Sequence, residues 1–210
     1  MNSIVYNADC IAGMKQYPDN HFDLAVVDPP YGIDWMDQVK NKNKGHFWKQ
    51  YENKGWDKSI PDQEYFDELF RVSKNQIVWG GNYMTNFLYP SPCWVIWDKK
   101  QEFSGAVFEM AWTSFGSPAK AFRMSRVEAY VGANKIHPTQ KPIALYQWIY
   151  KTYLPDGGLV LDTHLGSGSN RISADKRGNI DFVGYEIDKD YFNAQEKRWR
   201  DYKSQLTILF

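Results

Sequence analysis

Four consecutive residues, Asp28-Pro29-Pro30-Tyr31, carry groups that could hold a planar amine. They follow the apolar run 22–27, which predicts a buried strand that ends in a rigid turn, because proline restricts the backbone. The Asp28 carboxylate and the Pro29 carbonyl are hydrogen-bond acceptors, and neither proline has an N–H to compete for them. Two acceptors beside the Tyr31 ring suit the exocyclic amine of an aromatic base. The structural alternative is a plain strand-to-loop turn with a stacked ring.

A second group of residues, late in the chain, is typical of a nucleotide-type loop. The apolar run 159–161 predicts a strand before Asp162, and the Gly166–Gly168 loop then opens a helix. Its glycines let the backbone approach a ligand and leave N–H groups near a helix N-terminus. Glu186 ends the next predicted strand, where a carboxylate can accept both hydroxyls of a ribose. This favours a ribose-bearing cofactor over an incidental helix entry, and the spacing fits neither the dinucleotide nor the ATP loop.

The elements that must position these residues alternate between strands and helices at both ends of the chain, which predicts an α/β protein with a mainly parallel sheet. A capping box at Ser59, with Pro61 in the first turn, predicts a helix that runs to about residue 72. A short helix is predicted over residues 83–88. We expect residues 1–210 to form a single domain.

Two segments, 32–59 and 116–135, show no clear period and are rich in basic residues. Loops of this length inside a compact domain are usually functional. We interpret both segments as irregular insertions and as candidate DNA-recognition segments, although solvated basic loops are the alternative. The candidate DNA-binding residues are Lys42, Lys44, Lys49, Lys120, Arg123 and Arg126.

The composition excludes several classes of protein. The 210 residues carry no net charge, and their longest apolar runs are strand-sized, far short of the roughly 20 residues of a membrane-spanning helix. The N-terminus lacks the pattern of a signal peptide. Two scattered cysteines, Cys10 and Cys93, fit neither a zinc site nor a disulfide framework. We therefore expect a cytoplasmic protein without membrane contact and without a metal.

Together the motifs resemble those of β-class DNA amino-methyltransferases, including small phage-borne and restriction-modification adenine methyltransferases. The catalytic motif precedes the cofactor motif, as in that class, and the motifs span nearly the whole chain. The resemblance is carried by Asp28-Pro29-Pro30-Tyr31, His137-Pro138-Thr139-Gln140-Lys141-Pro142 and the Gly166–Gly168 loop with Glu186, and also by Trp79-Gly80-Gly81-Asn82-Tyr83 and Trp97-Asp98-Lys99.

This resemblance implies a permuted S-adenosylmethionine-dependent methyltransferase fold, with a seven-stranded mixed, mostly parallel sheet and helices on both faces. The first two predicted strands of the chain would be the third and fourth of that fold. The two strands that flank the glycine loop would be its first and second. The predicted strands 93–97 and 108–113 would form its antiparallel edge.

The implied cofactor is S-adenosyl-L-methionine. The family pattern assigns the Gly166–Gly168 loop to the methionine part of the cofactor, Glu186 to the ribose and Asp9 to the adenine amino group. Thr139 and Lys141 would lie near the methionine carboxylate. The full set of candidate cofactor-binding residues is Asp9, Thr139, Lys141, Asp162, His164, Gly166, Ser167, Gly168, Asn170 and Glu186.

The chain departs from the family pattern in the cofactor loop. Thr163-His164 stands where the family usually has Pro-Phe, and Ser169-Asn170 stands where it usually has Thr-Thr. Imidazole is planar and serine keeps a hydroxyl, so we expect the loop to retain its function. These four positions nevertheless put the affinity for the cofactor in question.

The implied reaction is methylation of adenine N6 in double-stranded DNA, with Asp28 and the Pro29 carbonyl at the amine and Tyr31 stacked on a flipped-out base. Methylation of cytosine N4 is the nearest alternative, but its enzymes more often have Ser at the position of Asp28. Protein glutamine methyltransferases have Asn there and place the cofactor loop upstream. A catalytically inactive DNA- or cofactor-binding relative is the alternative from another class. A homodimer would supply further DNA contacts.

Overall fold

The computed structural model describes residues 2–34, 54–101, 106–131 and 135–207. The strands in these ranges are β1 Ser3–Tyr6, β2 Leu24–Val27, β3 Gln76–Trp79, β4 Trp94–Asp98, β5 Phe108–Thr113, β6 Lys120–Arg123, β7 Gly158–Asp162 and β8 Ile180–Tyr185. The helices are α1 Cys10–Met14, α2 Gln63–Val72, α3 Arg126–Tyr130, α4 Ile143–Tyr153, α5 Ser169–Arg177 and α6 Lys189–Thr207. None of these helices has the length and apolar character needed to cross a membrane.

The described strands form one sheet in the order β1-β8-β7-β2-β3-β5-β4-β6. Strand β5 runs antiparallel to both of its neighbours, and the other pairings are parallel. The mixed, mostly parallel sheet with helices on both faces confirms the predicted fold class. The strands β7 and β8, expected as the first and second of the fold, lie between β1 and β2, expected as its third and fourth.

Strand β6 makes the sheet eight-stranded, where seven strands are predicted. It pairs in parallel with β4 and lies beyond the predicted antiparallel edge. The segment 116–135 is therefore not irregular throughout, since it also contains α3, whose Ser125–Glu128 capping box is complete. Strand β6 is largely exposed and four residues long, so its sequence has no apolar period, and backbone pairing with β4 is what defines it.

Two local predictions are wrong in detail. Helix α2 begins at Gln63 rather than near Ser59, because the Asp62 side chain accepts the Tyr65 N–H at 3.2 Å and is the N-cap. In place of a helix over residues 83–88, the chain forms a single 3₁₀ turn at Gly81–Tyr83.

The core has two layers, one on each face of the sheet. Successive residues of a strand point to opposite faces, and β2 is buried on both. Its residues Leu24 and Val26 pack in the cluster that includes the apolar side of α4. Ala25 and Val27 pack in the other cluster, together with the apolar face of α2. Burial on both faces explains the uninterrupted apolar sequence that precedes Asp28.

Candidate active site

Asp28, Asp162 and Glu186 lie at one edge of the sheet. They stand at the carboxyl ends of β2, β7 and β8, three neighbouring strands that run parallel. In open α/β sheets this edge is where ligands bind. The parallel pairing therefore brings together the two motifs that stand at opposite ends of the sequence.

The turn after β2 is held by contacts from distant parts of the chain. The Tyr31 hydroxyl donates to Asp28 Oδ1 at 2.8 Å. Asp57 Oδ1 accepts the backbone N–H groups of Tyr31 at 2.7 Å and of Gly32 at 3.1 Å. Because Asp57 is buried and bound to two consecutive N–H groups, it fixes the direction in which the Tyr31 side chain leaves the turn.

A chain of alternating charges lies beside Asp28. The Lys141 ammonium is 2.5 Å from Asp28 Oδ2 and 3.3 Å from Glu109 Oε2. Lys99 then reaches Glu109 Oε1 at 2.7 Å. The Lys141 side chain is only 1% exposed, and that of Lys99 8%. The two carboxylates and two ammonium groups balance, as a buried cluster of charges requires.

The protonation of this cluster follows from burial and from the opposite charges. Burial raises the pKa of Asp28, and Lys141 opposes that effect. Burial alone would lower the pKa of Lys141, but Asp28 and Glu109 hold it above its ordinary value. Burial would raise the pKa of Glu109, whereas Lys141 and Lys99 hold it below its ordinary value. Lys141 is therefore charged near neutral pH.

A first cavity, of about 250 Å³, opens on the side of Pro29 and Tyr31. Tyr83 stacks on the Tyr31 ring at a centroid distance of 5.3 Å and extends the aromatic surface. The wall combines flat rings with charged groups, which suits an aromatic ring that has polar edges. Its lining includes Asp28, Pro29, Tyr31, Trp56, Tyr83, Trp97, Lys99, Phe108, Glu109 and Arg126.

A second cavity, of about 300 Å³, lies on the other side of Asp28. Asp28, Trp56, Thr139 and Gln140 line both cavities, so the two cavities are adjacent and Asp28 forms part of the wall of each. The lining of the second cavity also includes Pro30, His137, Lys141, His164, Gly166, Ser167, Ser169, Asn170, Glu186 and Tyr191. The described residues contain no cluster of three or more His, Cys, Asp or Glu that could hold a metal ion.

Glu186 supports the glycine loop and keeps acceptor capacity of its own. Its Oε2 accepts the Gly166 N–H at 2.8 Å, and its Oε1 accepts the Asp188 N–H at 2.9 Å. A backbone interaction with Ile187 also stabilises the ionised carboxylate. A carboxylate has about four acceptor positions, so Glu186 keeps acceptor capacity for a ligand. The atoms nearest to a Cβ built on Gly166 belong to the His137 ring, at 3.8 Å, so the loop faces His137 at ordinary contact distance.

Asn170, one of the loop residues that depart from the family pattern, is hydrogen-bonded to the strands and the helix around it. The Asn170 amide donates to the Val26 carbonyl at 3.1 Å and to Asp162 Oδ2 at 2.9 Å, and its oxygen accepts from the Tyr150 hydroxyl. Asn170 thus joins β2, β7 and α4. Burial raises the pKa of Asp162 to about 7. Asn170, which stands where the family usually has Thr, is therefore the centre of a buried hydrogen-bond network.

His164 presents an uncharged ring to the second cavity. Burial lowers its pKa to about 4, so the imidazole is neutral near pH 7. Its Nδ1 hydrogen-bonds with the Thr163 hydroxyl at 2.9 Å, and Thr163 in turn bonds with the Tyr65 hydroxyl at 2.8 Å. The ring also packs edge-on against Tyr65. A neutral planar ring can replace the aromatic side chain that the family usually has here.

The structure brings most of the predicted site residues together, but not all. Asp9, Asp162 and Gly168 do not line either cavity. Asp9 instead caps α1 by accepting the Ala12 N–H at 2.8 Å. Glu109 was not predicted as a site residue, since its only signal in the sequence is an acidic residue inside an apolar strand. Trp56, Asp57, Tyr83, His137 and Tyr191 were likewise not predicted as parts of the site, nor was the proximity of Lys99 to the turn after β2.

The predicted DNA-binding residues fall in different places. Lys42, Lys44 and Lys49 lie outside the described residues. Lys120 and Arg123 lie on β6, the last strand of the sheet, where Arg123 is 74% exposed and 3.5 Å from Asp98. Arg126, the first residue of α3, lines the first cavity.

Comparison with known proteins identifies the family. Residues 81–197, more than half of the chain, match the N6_N4_Mtase model of DNA methylases. The chain therefore belongs to the N6/N4 family of DNA methylases. It is 24% identical over 216 residues to YubD of Escherichia coli (strain K12), covering 90% of this chain and 87% of that protein. It is 22% identical over 250 residues to the type II methyltransferase M2.MboI of Moraxella bovis, covering 95% of this chain and 88% of that protein.

Solved structures agree on the fold. The cytosine-N4-specific PvuII DNA methyltransferase aligns with a TM-score of 0.62 at 15% identity, over 93% of this chain and 86% of that chain. The M1.HpyAVI–SAM complex aligns with a TM-score of 0.58 at 17% identity, over 94% of this chain and 100% of that chain. The predicted family is confirmed at the level of amino-methylating DNA enzymes, which includes both adenine and cytosine as targets.

Proposed function

We propose that the protein transfers a methyl group from S-adenosyl-L-methionine to N6 of an adenine flipped out of double-stranded DNA. The observation that carries this proposal is that Asp28 lines two adjacent cavities. One cavity has the flat, partly charged walls that suit a base, and the other contains the glycine loop and Glu186. A base amine and a methyl donor placed in these two spaces would meet beside the Asp28 carboxylate.

The residues of the second cavity fit the cofactor. The Glu186 carboxylate accepts from the Gly166 and Asp188 N–H groups and keeps acceptor capacity for a ribose hydroxyl. Ser167 and Ser169 line the cavity at the N-terminus of α5, where the free N–H groups and the helix dipole favour a carboxylate. The cofactor supplies a methyl group on positively charged sulfur, so the transfer needs no metal. One of the similar solved structures is a complex with this cofactor.

The catalytic turn would act by orientation. The lone pair of an aromatic amine is delocalised into the ring, which makes the nitrogen a poor nucleophile. Hydrogen bonds from its two N–H groups to Asp28 and to the Pro29 carbonyl favour a pyramidal nitrogen whose lone pair points towards the second cavity. The rate enhancement would then come from positioning and from electrostatic stabilisation of the transition state.

Adenine is proposed over cytosine because Asp28 is the first residue of the Asp28–Tyr31 motif, where cytosine-N4 enzymes more often have Ser.

Residues 1–210 would act as one methyltransferase domain. The type II methyltransferase among the relatives supports a role in restriction-modification. A second copy of the chain would extend the contact with DNA.

Nucleoside mass spectrometry of unmethylated plasmid DNA, incubated with the protein and the cofactor, tests the proposal. We expect N6-methyl-2′-deoxyadenosine from the wild-type protein and none from Asp28→Ala, with cofactor binding retained in that variant. Asp156→Ala is the matched control, because Asp156 is exposed in the turn before β7, at the opposite edge of the sheet. N4-methylcytosine would overturn the choice of base, and an equal rate for Asp28→Ala would overturn the mechanism.

A further inference from the structure

Lys141 is fully occupied by protein groups. An ammonium has three N–H donors. Three acceptors surround that of Lys141: Asp28 Oδ2 at 2.5 Å, Glu109 Oε2 at 3.3 Å and the Tyr31 hydroxyl at 3.3 Å. Because every donor has an acceptor within the protein, none remains for the methionine carboxylate of a cofactor.

The surroundings of Lys141 also hold it in place. Its ammonium lies 5.1 Å from the centre of the Trp79 ring and 5.8 Å from that of Tyr31, within the range of cation–π attraction. Glu109 is itself held by Lys99 on its other oxygen. The position of the Lys141 ammonium is therefore fixed by the Trp79 and Tyr31 rings and by the Glu109 carboxylate, which Lys99 holds in place.

We propose that Lys141, held by Glu109, is a positioning residue that fixes the orientation and the ionised state of Asp28, and that it does not bind the cofactor carboxylate. This inference rests on the proposed function. The Lys141–Asp28 bond occupies one position on Oδ2, and the Tyr31 hydroxyl occupies one on Oδ1. The unused positions on the carboxylate then have a fixed direction towards an amine.

Charge is the second part of the effect. Asp28 accepts from an amine most strongly as a carboxylate. Burial raises its pKa, and Lys141, whose ammonium lies 2.5 Å from Oδ2, opposes that rise. Among the described residues, the ionisable groups that interact with Asp28 include Lys141 before α4, Glu109 on β5, Tyr31 in the same turn, Tyr65 on α2, Tyr146 on α4 and Asp162 at the end of β7.

Lys141→Met tests the inference through two readouts, the pH profile of kcat and the Kd of the cofactor by calorimetry. We expect kcat to fall about 100-fold, because a catalytic group that is no longer held misplaces the reacting atoms. The acidic limb of the kcat profile should move to higher pH, since the pKa of Asp28 rises without the cation. The cofactor Kd should stay within about threefold of the wild-type value, less than 1 kcal/mol.

A role in cofactor binding gives the opposite pattern. If Lys141 held the methionine carboxylate, loss of a buried charged partner would weaken cofactor binding by more than about 30-fold. At saturating cofactor, kcat and its acidic limb would then resemble those of the wild-type protein. That result would overturn the inference and leave the proposed function intact. Absence of any methylated base with the wild-type protein would instead overturn the proposed function.

Glu109→Gln provides the second variant. Added to Lys141→Met, it removes one of two carboxylates left without their shared cation, so we expect the acidic limb to move back to lower pH. An acidic limb that moves further up would contradict the inference. If Lys141→Met does not fold, Glu109→Gln alone gives the test: it should lower kcat with an unchanged cofactor Kd, and an unchanged kcat would overturn the inference.

Discussion

Gly80, the residue after β3, shows how a position remote in sequence sets the geometry of the proposed catalytic turn, residues 28–31. Its φ is +69°, a left-handed conformation that glycine adopts without strain. A Cβ at this position would lie 2.1 Å from the Tyr31 ring. The ring therefore occupies the space that only a glycine leaves. Since the Tyr31 hydroxyl binds Asp28, the packing against Gly80 reaches the proposed catalytic carboxylate through one side chain.

We expect Gly80→Ala to reduce kcat strongly, because the added methyl must displace the Tyr31 ring. Two other glycines separate the causes. Gly178 also has a positive φ, +80°, but open space around it, so Gly178→Ala should show the backbone strain alone, about 1–2 kcal/mol of stability. Gly116 has open space around it and no positive φ, so Gly116→Ala should change neither kcat nor the free energy of unfolding. Urea unfolding and steady-state kinetics of the three variants check this, and equal kcat values for Gly80→Ala and Gly178→Ala would contradict it.

At the scale of elements, residues 54–57 tie the two motifs together. Lys54 binds both oxygens of Asp188 at 2.8 Å and Asp190 at 2.5 Å, before and at the start of α6. Trp56 lines both cavities, and its ring lies 5.5 Å from that of His137. Asp57 accepts the backbone N–H groups of Tyr31 and Gly32 in the turn after β2. The end of the segment 32–59 is thus a wall of the site, in addition to its predicted role in DNA recognition.

Removing the charge at Lys54 should loosen this wall. The Lys54 side chain is 22% exposed and bridges two carboxylates, so we expect Lys54→Met to weaken cofactor binding about 3- to 10-fold, which corresponds to the 1 kcal/mol scale of a partly exposed ion pair. The neighbouring Lys58 is exposed, and Lys58→Met is the matched control. Calorimetry at low and high salt measures the effect, which should shrink as salt screens the wild-type pair. An equal loss in both variants would show that the Lys54 bridge is not the cause.

At the scale of the whole molecule, one sheet carries both halves of the site. The parallel pairing of β2 with β7 and of β7 with β8 places residues from both ends of the chain at one edge. A ligand that bridges Glu186 and Asp28 would therefore connect strands whose relative position depends on the folded core. Binding to the folded state alone stabilises the protein by mass action.

S-adenosyl-L-methionine at about 100 times its Kd should accordingly raise the free energy of unfolding by about 2.7 kcal/mol. A thermal-shift titration measures this as a rise in Tm. We expect Asp28→Ala to keep the rise and Glu186→Ala to lose it, because only Glu186 is proposed to bind the ribose. A rise of equal size in Glu186→Ala would exclude that role.

The fold class, the DNA amino-methyltransferase family and the two central motifs of the site could be predicted from the amino-acid sequence. These features depend on contiguous signals: the buried β2 run before Asp28-Pro29-Pro30-Tyr31, the Gly166–Gly168 loop, and Glu186 at a strand end. Most other residues that line the two cavities, the partners of Lys141, the place of Glu109 and Asp57 in the site, and the pairing of β6 with β4 became visible only in the folded chain. The physical reason is that the role of a charge depends on its burial and on neighbours distant along the chain, and an exposed edge strand depends on the backbone beside it. Neither the role of a buried charge nor the pairing of an exposed edge strand leaves a local pattern in the sequence.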